Sequence, residues 1–301
     1  MLTVVGRLSA RAILSREDEM RKITQLITYL RRRIRLDKQT FILYSILRLL
    51  VILTLIRQFF LRNYEGVGIC ILSLLLFLVP SFMEEHFRIE IPPVFEGIIY
   101  LFIFAAEILG EVEHFYVAIP GWDTMLHTIN GFLCAAIGFS MIDLMNRHSK
   151  NVKLSPFYLA MVAFCFSMTV GVIWEFIECG GDLFFGQDMQ KDFIVTHFQS
   201  VTLDPTHSQQ VISVKDITDT VIHTASGQTY NIEGGYLDIG ILDTMKDLFV
   251  NFIGAIVFSV LGYIYVKERG RHQSEPAKIA GSLMIRTAMG QGESLPDQKA
   301  D

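Results

Sequence analysis

Three apolar segments of this chain carry acidic or imidazole side chains close to one of their ends. A charged side chain beside hydrocarbon is energetically costly, so ionisable residues within membrane segments usually mark a functional site. Spacings of three or four residues place the polar side chains of one helix on one face. The residues are Asp123 and His127 in the first segment, Glu175 and Glu178 in the second, and Asp243, Asp247 and Asn251 in the third.

The chemical types of these side chains predict a site for a divalent metal ion. Asp123, His127, Glu175 and Asp247 together offer three carboxylates and one imidazole. Mixed oxygen and nitrogen ligands suit Zn, Mn, Fe or Mg, and we expect Zn, Mn or Mg here. Such an ion could polarise a phosphoryl or carbonyl group or acidify a bound water, with Glu175 and Glu178 as catalytic candidates and Glu178 as general base. The same carboxylates could instead bind and release protons or cations in a transporter.

Helix capping offers a simpler explanation for two of the carboxylates. Asp123 and Asp243 each begin a helix, and aspartate is favoured at the N-cap and at the positive end of the helix dipole. Capping does not explain His127, Glu175 or Asp247, because each lies a turn or more inside its helix. Glu175 also lies near a helix C-terminus, where a carboxylate opposes the dipole.

In each of the three segments a glycine lies immediately deeper than the polar residues, on about the same face. Gly131, Gly171 and Gly254 would let membrane helices approach closely, so we expect three helices to converge beneath a polar mouth. The only two tryptophans, Trp122 and Trp174, each precede a carboxylate of the predicted site, and tryptophan favours the headgroup level. Both segment ends should therefore lie at one depth.

Another apolar segment ends in two further carboxylates. Glu107 and Glu111 are four residues apart and share a helix face. They are expected either to join the predicted site, Glu111 in particular, or to pair with Arg57.

The composition predicts an all-α polytopic membrane protein. Of the 301 residues, 51% are apolar, and the mean hydropathy is +0.40, a value that soluble enzymes of this size seldom reach. A spanning helix needs about 20 mainly apolar residues. About six transmembrane helices are expected, at 41–62, 66–83, 95–112, 124–144, 157–177 and 248–266.

The distribution of Lys and Arg predicts a plasma-membrane protein with both termini in the cytoplasm. Residues 1–40 carry ten Lys and Arg, whereas residues 179–246 carry three against nine acidic residues. The basic arm, with residues 17–36 along the inner membrane surface, is expected to touch anionic lipid rather than nucleic acid. The predicted organisation is a basic cytoplasmic arm at 1–40, transmembrane helices one to five within 41–178, an acidic extracytoplasmic loop at 179–246, transmembrane helix six at 247–266 and a disordered cytoplasmic tail at 267–301.

The long loop is expected to contain a small β-hairpin. Residues 220–224 and 229–232 alternate around a Ser-Gly turn, which is typical of paired strands. Two strands alone are only marginally stable in water, so the hairpin should pack on the helix mouths. The loop histidines (His197, His207 and His223) lack ligand-like spacing, and the four cysteines (Cys70, Cys134, Cys165 and Cys179) are typical of small apolar core residues rather than disulfides or metal ligands.

At the predicted site residues the chain resembles the YjdF-like family of bacterial multi-pass membrane proteins. The resemblance covers roughly residues 45–266, and it implies no particular reaction because that family has no established activity. It rests on Gly110-Glu111, Phe115-Tyr116, Ile119-Pro120, Trp122-Asp123, Leu126-His127, Trp174-Glu175 with Glu178, Asp243-Thr244, Asp247, Asn251 and Gly254.

More distantly, the pattern is similar to that of VanZ-like proteins. There Asp and His open one span, Glu closes another, and Asp with Asn and Gly opens the last. The VanZ-like pattern has a short connection where this chain has its long loop. The likeness implies cell-envelope physiology, and the matching positions are Asp123, His127, Glu175, Asp247 and Asn251.

Three functions remain open from the sequence. The first is a metal-dependent hydrolase or transferase that acts on a lipid or lipid-linked cell-envelope substrate at the outer membrane face. The second is a non-catalytic envelope or partner-binding membrane protein, in which the polar cluster stabilises the helix mouths. The third is a small transporter. This function is disfavoured because the three segments carry few polar residues deeper than Gly131, Gly171 and Gly254. The chain lacks Walker and dinucleotide-binding glycine patterns, so no nucleotide cofactor is expected.

Overall fold

The predicted all-α polytopic fold is confirmed. The computed structural model describes residues 38–149, 153–269 and 271–287, and within them six helices are long and apolar enough to cross a membrane. The basic arm, including the segment 17–36 expected on the membrane surface, lies almost wholly outside the described residues. The six spans are Lys38–Phe60, Tyr64–Phe87, Pro93–Val112, Trp122–His148, Pro156–Phe185 and Ile241–Lys267.

The chain divides into two compact units. The first contains the described residues up to Phe115 together with 285–287, and its core includes the buried side chains of Val51, Cys70, Phe77 and Tyr100. Its elements are α1 (Lys38–Phe60), α2 (Tyr64–Leu76), α3 (Val79–Phe87), β1 (Ile89–Glu90), α4 (Pro93–Ile103), which continues as a π-helical segment (Phe104–Val112), and β8 (Arg286–Thr287), which pairs antiparallel with β1.

Three long helices form the body of the second unit, residues 116–284. They are α6 (Trp122–His148), α7 (Pro156–Phe185) and α8 (Ile241–Lys267), and the short helix α5 (Phe115–Ala118) precedes them. A Cβ atom on Gly131 would collide with the backbone carbonyl of Asn251, and one on Gly254 would collide with the carbonyl of Thr128. The backbones of α6 and α8 are therefore in direct contact, as the glycine spacing predicts.

All three of these helices extend beyond the spans expected from hydropathy, α7 and α8 furthest. Helix α7 continues past 177 to Phe185, where Gly186 ends it in a left-handed conformation at φ +64°, and α8 begins at Ile241 rather than at 248. Hydropathy reports which side chains suit hydrocarbon, whereas a helix persists wherever its backbone hydrogen bonds continue. The polar residues of the predicted site therefore lie inside regular helix.

The connection between α7 and α8 contains the predicted hairpin. Strands β5 (Asp219–His223) and β6 (Thr229–Glu233) pair antiparallel, with His223 opposite Thr229. Two further antiparallel pairs accompany it: β3 (Phe198–Ser200) with β4 (Ile212–Val214), and β2 (Ile194–Val195) with β7 (Tyr236–Leu237). The ends of α6, α7 and α8 next to this connection are called loop-proximal below, and the opposite ends loop-distal.

The predicted disorder of the tail from residue 267 is wrong for the part that the structure describes. Helix α9 (Glu275–Leu283) packs on α8, and its Ala277 and Ala280 are fully buried. A Cβ atom on Gly281 would lie 3.1 Å from the ring of Tyr265, so the contact is close. The segment has few large apolar side chains, so its composition is typical of a polar tail. Its alanines and its glycine nevertheless allow it to pack closely against α8. Residues 288–301 lie outside the described part.

Candidate functional site

Five of the predicted site residues meet at the loop-proximal ends of α6, α7 and α8. His127 stands on the second turn of α6, with Nε2 3.3 Å from Asp123 Oδ1 and 4.0 Å from Asp247 Oδ2. Its other nitrogen, Nδ1, is 3.9 Å from Glu175 Oε1. These residues and Glu178 are called the carboxylate cluster. The side chains of Glu175 and Asp247 are only 6% and 2% exposed, so the cluster is an interior site.

The imidazole of His127 divides the cluster into two sets of potential metal ligands. One set is Asp123, His127 and Asp247, and the other is His127, Glu175 and Glu178; within each, one ligand atom per residue lies within 4.8 Å of the others. The two ring nitrogens point in different directions, so one ion cannot bind both. The four predicted ligands, Asp123, His127, Glu175 and Asp247, are therefore neighbours, but Glu175 approaches the other nitrogen of the ring.

Three buried oxygens of the cluster, Asp123 Oδ2, Glu175 Oε2 and Asp247 Oδ1, have no hydrogen-bond partner among the described residues, and the Lys246 ammonium faces only the two aspartate oxygens. Oε2 of Glu175 is inaccessible to solvent, and no described group donates to it. Leaving a buried acceptor unsatisfied costs about 1–3 kcal/mol. The site therefore has capacity for a further donor or cation next to His127.

Lys246 also lies in the site, a role that the sequence analysis missed. Its Nζ is 2.7 Å from Asp243 Oδ1, 3.3 Å from Asp123 Oδ2 and 3.6 Å from Asp247 Oδ1. The i, i+3 spacing from Asp243 was visible in the sequence. Its reach to Asp123 depends on the separation of α6 and α8, which no local pattern contains. This ammonium partly neutralises the carboxylates on the Nε2 side of His127.

The expectation that Asp123 and Asp243 are N-caps is wrong. The N-cap residues of α6 and α8 are Gly121 and Gly240, both with positive φ, and neither helix has a side-chain cap from that position. Asp243 lies in the first turn of α8, and its Oδ2 accepts a hydrogen bond from the backbone N–H of Lys191 at 2.9 Å. Asp243 therefore attaches the loop to α8 and does not cap the helix.

The carboxylate of Asp238 accepts hydrogen bonds from backbone N–H groups at the start of α8. Its Oδ2 accepts from the backbone N–H of Leu242 at 2.9 Å, and its Oδ1 accepts from Gly240 at 3.2 Å and from Phe193 at 2.6 Å. Burial alone would raise the pKa of Asp238, but these backbone hydrogen bonds outweigh it and lower the pKa. The sequence analysis missed this role of Asp238, although an aspartate shortly before a helix is a recognisable signal for its start.

Residues 188–193, called the strap, form hydrogen bonds with both α7 and α8 beside the cluster. Asp182 of α7 accepts backbone hydrogen bonds from Met189 at 2.6 Å and Gln190 at 3.0 Å. The Gln190 side chain contacts the hydroxyl of Thr244 on α8. The ring centroid of Phe193 lies 5.6 Å from Nζ of Lys246, a cation–π distance. The strap and the cluster therefore share one cation.

Glu178 is held by one of the two tryptophans. Nε1 of Trp174 donates to Glu178 Oε1 at 2.9 Å, and the Trp174 residue is 41% exposed on the surface of the helix bundle. Because residues four apart on a helix are neighbours, this contact follows from the sequence spacing. It fixes one oxygen of Glu178 next to the cluster.

Asn251 lies one turn deeper than Asp247 and forms the floor of the site. Its Oδ1 accepts from Asn130 Nδ2 at 3.3 Å, and a Cβ atom on Gly171 would meet its side-chain amide at 2.7 Å. Deeper still, Phe139 and Phe258 are fully buried, with ring centroids 6.2 Å apart. An aromatic layer thus follows the polar floor, as expected for a site that opens toward one end of the bundle.

The remaining predicted residues lie away from the cluster or in the other unit. Glu111 belongs to the π-helical segment of the first unit, and Arg57 forms an ion pair with Glu113 of the same unit. Among the described residues, the potential metal-ligand sets include no loop histidine. All four cysteines are free; Cys70 and Cys134 are buried, whereas Cys165 is exposed.

The family described as "predicted membrane protein (DUF2238)" matches residues 41–268. The chain belongs to this family. The match includes almost all of the six spans, the connection between α7 and α8, and every residue of the carboxylate cluster. Neither a curated protein nor a solved structure matches the chain. Membership in the DUF2238 family supports the multi-pass membrane assignment, and the chemistry has to be argued from the cluster.

Proposed function

We propose that this DUF2238 protein is a metal-dependent hydrolase or transferase that acts on a lipid or lipid-linked cell-envelope substrate at the outer face of the bacterial plasma membrane. The observation that carries the proposal is the position of His127, whose two ring nitrogens each face buried carboxylates. The finer relationship to YjdF-like and VanZ-like proteins, and an orientation with both termini cytoplasmic, belong to the same proposal.

Asp123, Nε2 of His127 and Asp247 are the ligands that fit a divalent ion best. Their potential ligand atoms lie within 4.8 Å of one another, and oxygen with nitrogen donors suits Zn, Mn or Mg. Glu175 then serves as the acceptor for the Nδ1 proton, because a metal-bound histidine commonly donates its other N–H to a carboxylate. In this assignment each ring nitrogen of His127 has its own partner, so Glu175 orients the imidazole and is not a metal ligand.

Glu178 is the candidate general base. A bound ion would supply Lewis acidity toward a phosphoryl or carbonyl oxygen or toward a water. Trp174 holds Oε1 of Glu178, so the carboxylate keeps one orientation while its second oxygen is available to accept a proton. Asp243 holds the strap beside the mouth of the site through the backbone N–H of Lys191.

The position of the site within the helices supports a lipid or lipid-linked substrate. The cluster lies within three apolar spans, near the ends where membrane helices reach the headgroup level. Trp174 is 41% exposed on an apolar span, and it contacts a cluster residue directly. Tryptophan favours this interfacial depth, where an amphipathic substrate would present its polar group.

A non-catalytic role in the envelope is the second candidate, and Lys246 favours it. The Lys246 ammonium contacts Asp123, Asp243 and Asp247, so part of the cluster is neutralised by the chain itself. In that case the cluster would fasten α6, α7 and α8 at the loop-proximal end. Glu175→Gln would then lower thermal stability but leave a cellular phenotype intact at matched expression.

Metal analysis of the purified full-length protein separates the two candidates. We expect close to one equivalent of a divalent metal in the wild type and a large loss in His127→Ala and Glu175→Gln. Asp188→Asn is the matched control, because this loop carboxylate is 71% exposed and stands outside the cluster. Equal and negligible metal in all four proteins would overturn the metal-dependent proposal.

A further inference from the structure

The loop-distal ends of α6 and α8 hold a second group of buried and half-buried charges. Asp143 of α6 is 3% exposed, and its Oδ2 alone accepts from two arginines. Arg147 donates to it through Nε at 2.9 Å and forms an ion pair with it through Nη2 at 2.7 Å, and Arg269 donates through Nη2 at 2.7 Å. Arg147 and Arg269 are called the arginine pair below, and Asp143 is called its anchor.

Tyr265 of α8 fixes both guanidinium groups. Its hydroxyl accepts from Nη2 of Arg147 at 3.1 Å, and its ring centroid lies 5.0 Å from Cζ of Arg269. Helix α9 packs against the same ring at Gly281. Two arginines from different parts of the chain are therefore held in defined positions, which reduces the entropy that a ligand would have to remove on binding.

The arginine pair carries more positive charge than its anchor neutralises. Two guanidinium groups face one carboxylate, so the three side chains have a net charge of +1. Glu268, next to Arg269 in the chain, has its carboxylate engaged by the backbone N–H and hydroxyl of Ser274, both at 2.8 Å. The Arg147 and Arg269 side chains are 42% and 33% exposed, so part of each planar fork of N–H donors is accessible.

Both arginines lie at the loop-distal ends of apolar spans, where membrane helices reach the headgroups. The span that contains Arg147 ends at His148, and the span before Arg269 ends at Lys267. Both guanidinium groups therefore lie at the polar boundary of the hydrocarbon. Guanidinium groups bind phosphate oxygens in a bidentate manner, and basic pockets between membrane helices are suited to anionic headgroups.

We propose that Arg147 and Arg269, oriented by Asp143 and Tyr265, bind the phosphodiester of an anionic phospholipid at the loop-distal membrane boundary. One phosphodiester carries a single negative charge. Its binding would neutralise the net charge of Arg147, Arg269 and Asp143 and relieve the repulsion between the two arginines. A lipid with a cationic headgroup would bring its own positive charge to this site and bind more weakly. The inference is independent of the carboxylate cluster and of any metal.

Lipid binding to the full chain in detergent tests this inference. Native mass spectrometry would compare phosphatidylglycerol with phosphatidylcholine on the wild type and on the double variant Arg147→Gln/Arg269→Gln. Loss of charge-assisted hydrogen bonds should weaken phosphatidylglycerol binding by about tenfold or more. Lys267→Gln is the matched control, since Lys267 is a cation at the same helix end that lies over Tyr263 instead, and it should change binding less than about twofold.

Three results would overturn the proposal: equal binding of the two lipids by the wild type, unchanged binding by the double variant, or inorganic phosphate binding as tightly as phosphatidylglycerol. The last result would assign the site to a soluble anion. If the glutamine variant fails to fold, Arg147→Lys/Arg269→Lys decides the matter because it keeps both charges and removes the planar forks. We expect it to bind several-fold more weakly than wild type, and full wild-type affinity would contradict the assignment.

Discussion

Lys246 Nζ lies 3.3 Å from Asp123 Oδ2, so a cation of α8 reaches a carboxylate of α6 across the mouth of the bundle. The same ammonium pairs with Asp243 and lies over the ring of Phe193. A divalent ion between Asp123 and Asp247 would repel this ammonium, because like charges a few ångströms apart interact strongly away from bulk water. Lys246 and a metal ion should therefore compete for the same carboxylates.

Lys246→Met should increase metal retention and destabilise the metal-free protein. Removal of the ammonium leaves the nearby aspartates without their internal counter-ion, which should reduce the free energy of unfolding by roughly 1–3 kcal/mol without metal. Added divalent metal should restore the melting temperature. Metal content and thermal unfolding with and without chelator measure both effects. Lys191→Met serves as the control, since Lys191 Nζ pairs with Asp188 of the loop. Unchanged metal content in Lys246→Met would argue against competition.

Gly131→Ala and Gly254→Ala should each separate α6 from α8 and destabilise the protein. In both cases the new methyl group would collide with a backbone carbonyl of the facing helix, which cannot move aside as a side chain can. We expect a loss of about 1–3 kcal/mol for each variant, measured by thermal or denaturant unfolding in detergent. Gly68→Ala is the matched control, because Gly68 is also helical and nothing lies within 4 Å of its added Cβ. A stability loss in Gly68→Ala equal to that of the other two would contradict the packing argument.

Asp238→Asn should loosen the strap and the first turn of α8. The Asp238 carboxylate accepts backbone hydrogen bonds from Phe193, Gly240 and Leu242, and loss of a capping carboxylate typically costs about 0.5–2 kcal/mol. The pKa of Asp238 is lowered in the folded protein, so its contribution is present above the ordinary aspartate pKa of about 3.9 and is lost as the pH falls through the lower folded value. Hydrogen exchange at the amides of Phe193 and Leu242 should accelerate in the variant at neutral pH. Unaltered exchange there would show that other contacts hold the strap.

Asp204→Asn should open the turn that follows β3. The buried Asp204 carboxylate accepts from the hydroxyl and N–H of Thr206 and from the N–H groups of Ser208 and Gln210. The Thr206 hydroxyl and then the backbone hydrogen bonds hold the pKa of Asp204 well below its usual range, so this order should persist to strongly acidic pH. In the variant, hydrogen exchange over residues 204–210 should increase at neutral pH. The exposed Asp216 gives the control substitution, Asp216→Asn, for which we expect little change. Equal protection of 204–210 in both variants would disprove the role of Asp204.

Local sequence patterns predicted much of this architecture for physical reasons. Hydrophobic length identified six spans, and spacing by four placed His127 beside Asp123. The hairpin of β5 and β6 followed from alternation around a turn. The same local reasoning assigned N-caps to Asp123 and Asp243 and disorder to the segment that forms α9, because it registered residue type without the contacts of distant segments.

Composition and helical periodicity by themselves determined that this chain is a multi-pass membrane protein and which helix ends carry its ionisable residues, because both depend only on neighbours along the chain. Tertiary structure alone decided that Glu175 faces Nδ1 of His127 while Asp247 faces Nε2, and that Lys246 reaches Asp123. Those relationships depend on how far each helix is rotated about its axis and how closely α6 and α8 approach. That approach is set where Gly131 and Gly254 meet backbone of the facing helix, more than a hundred residues away in sequence.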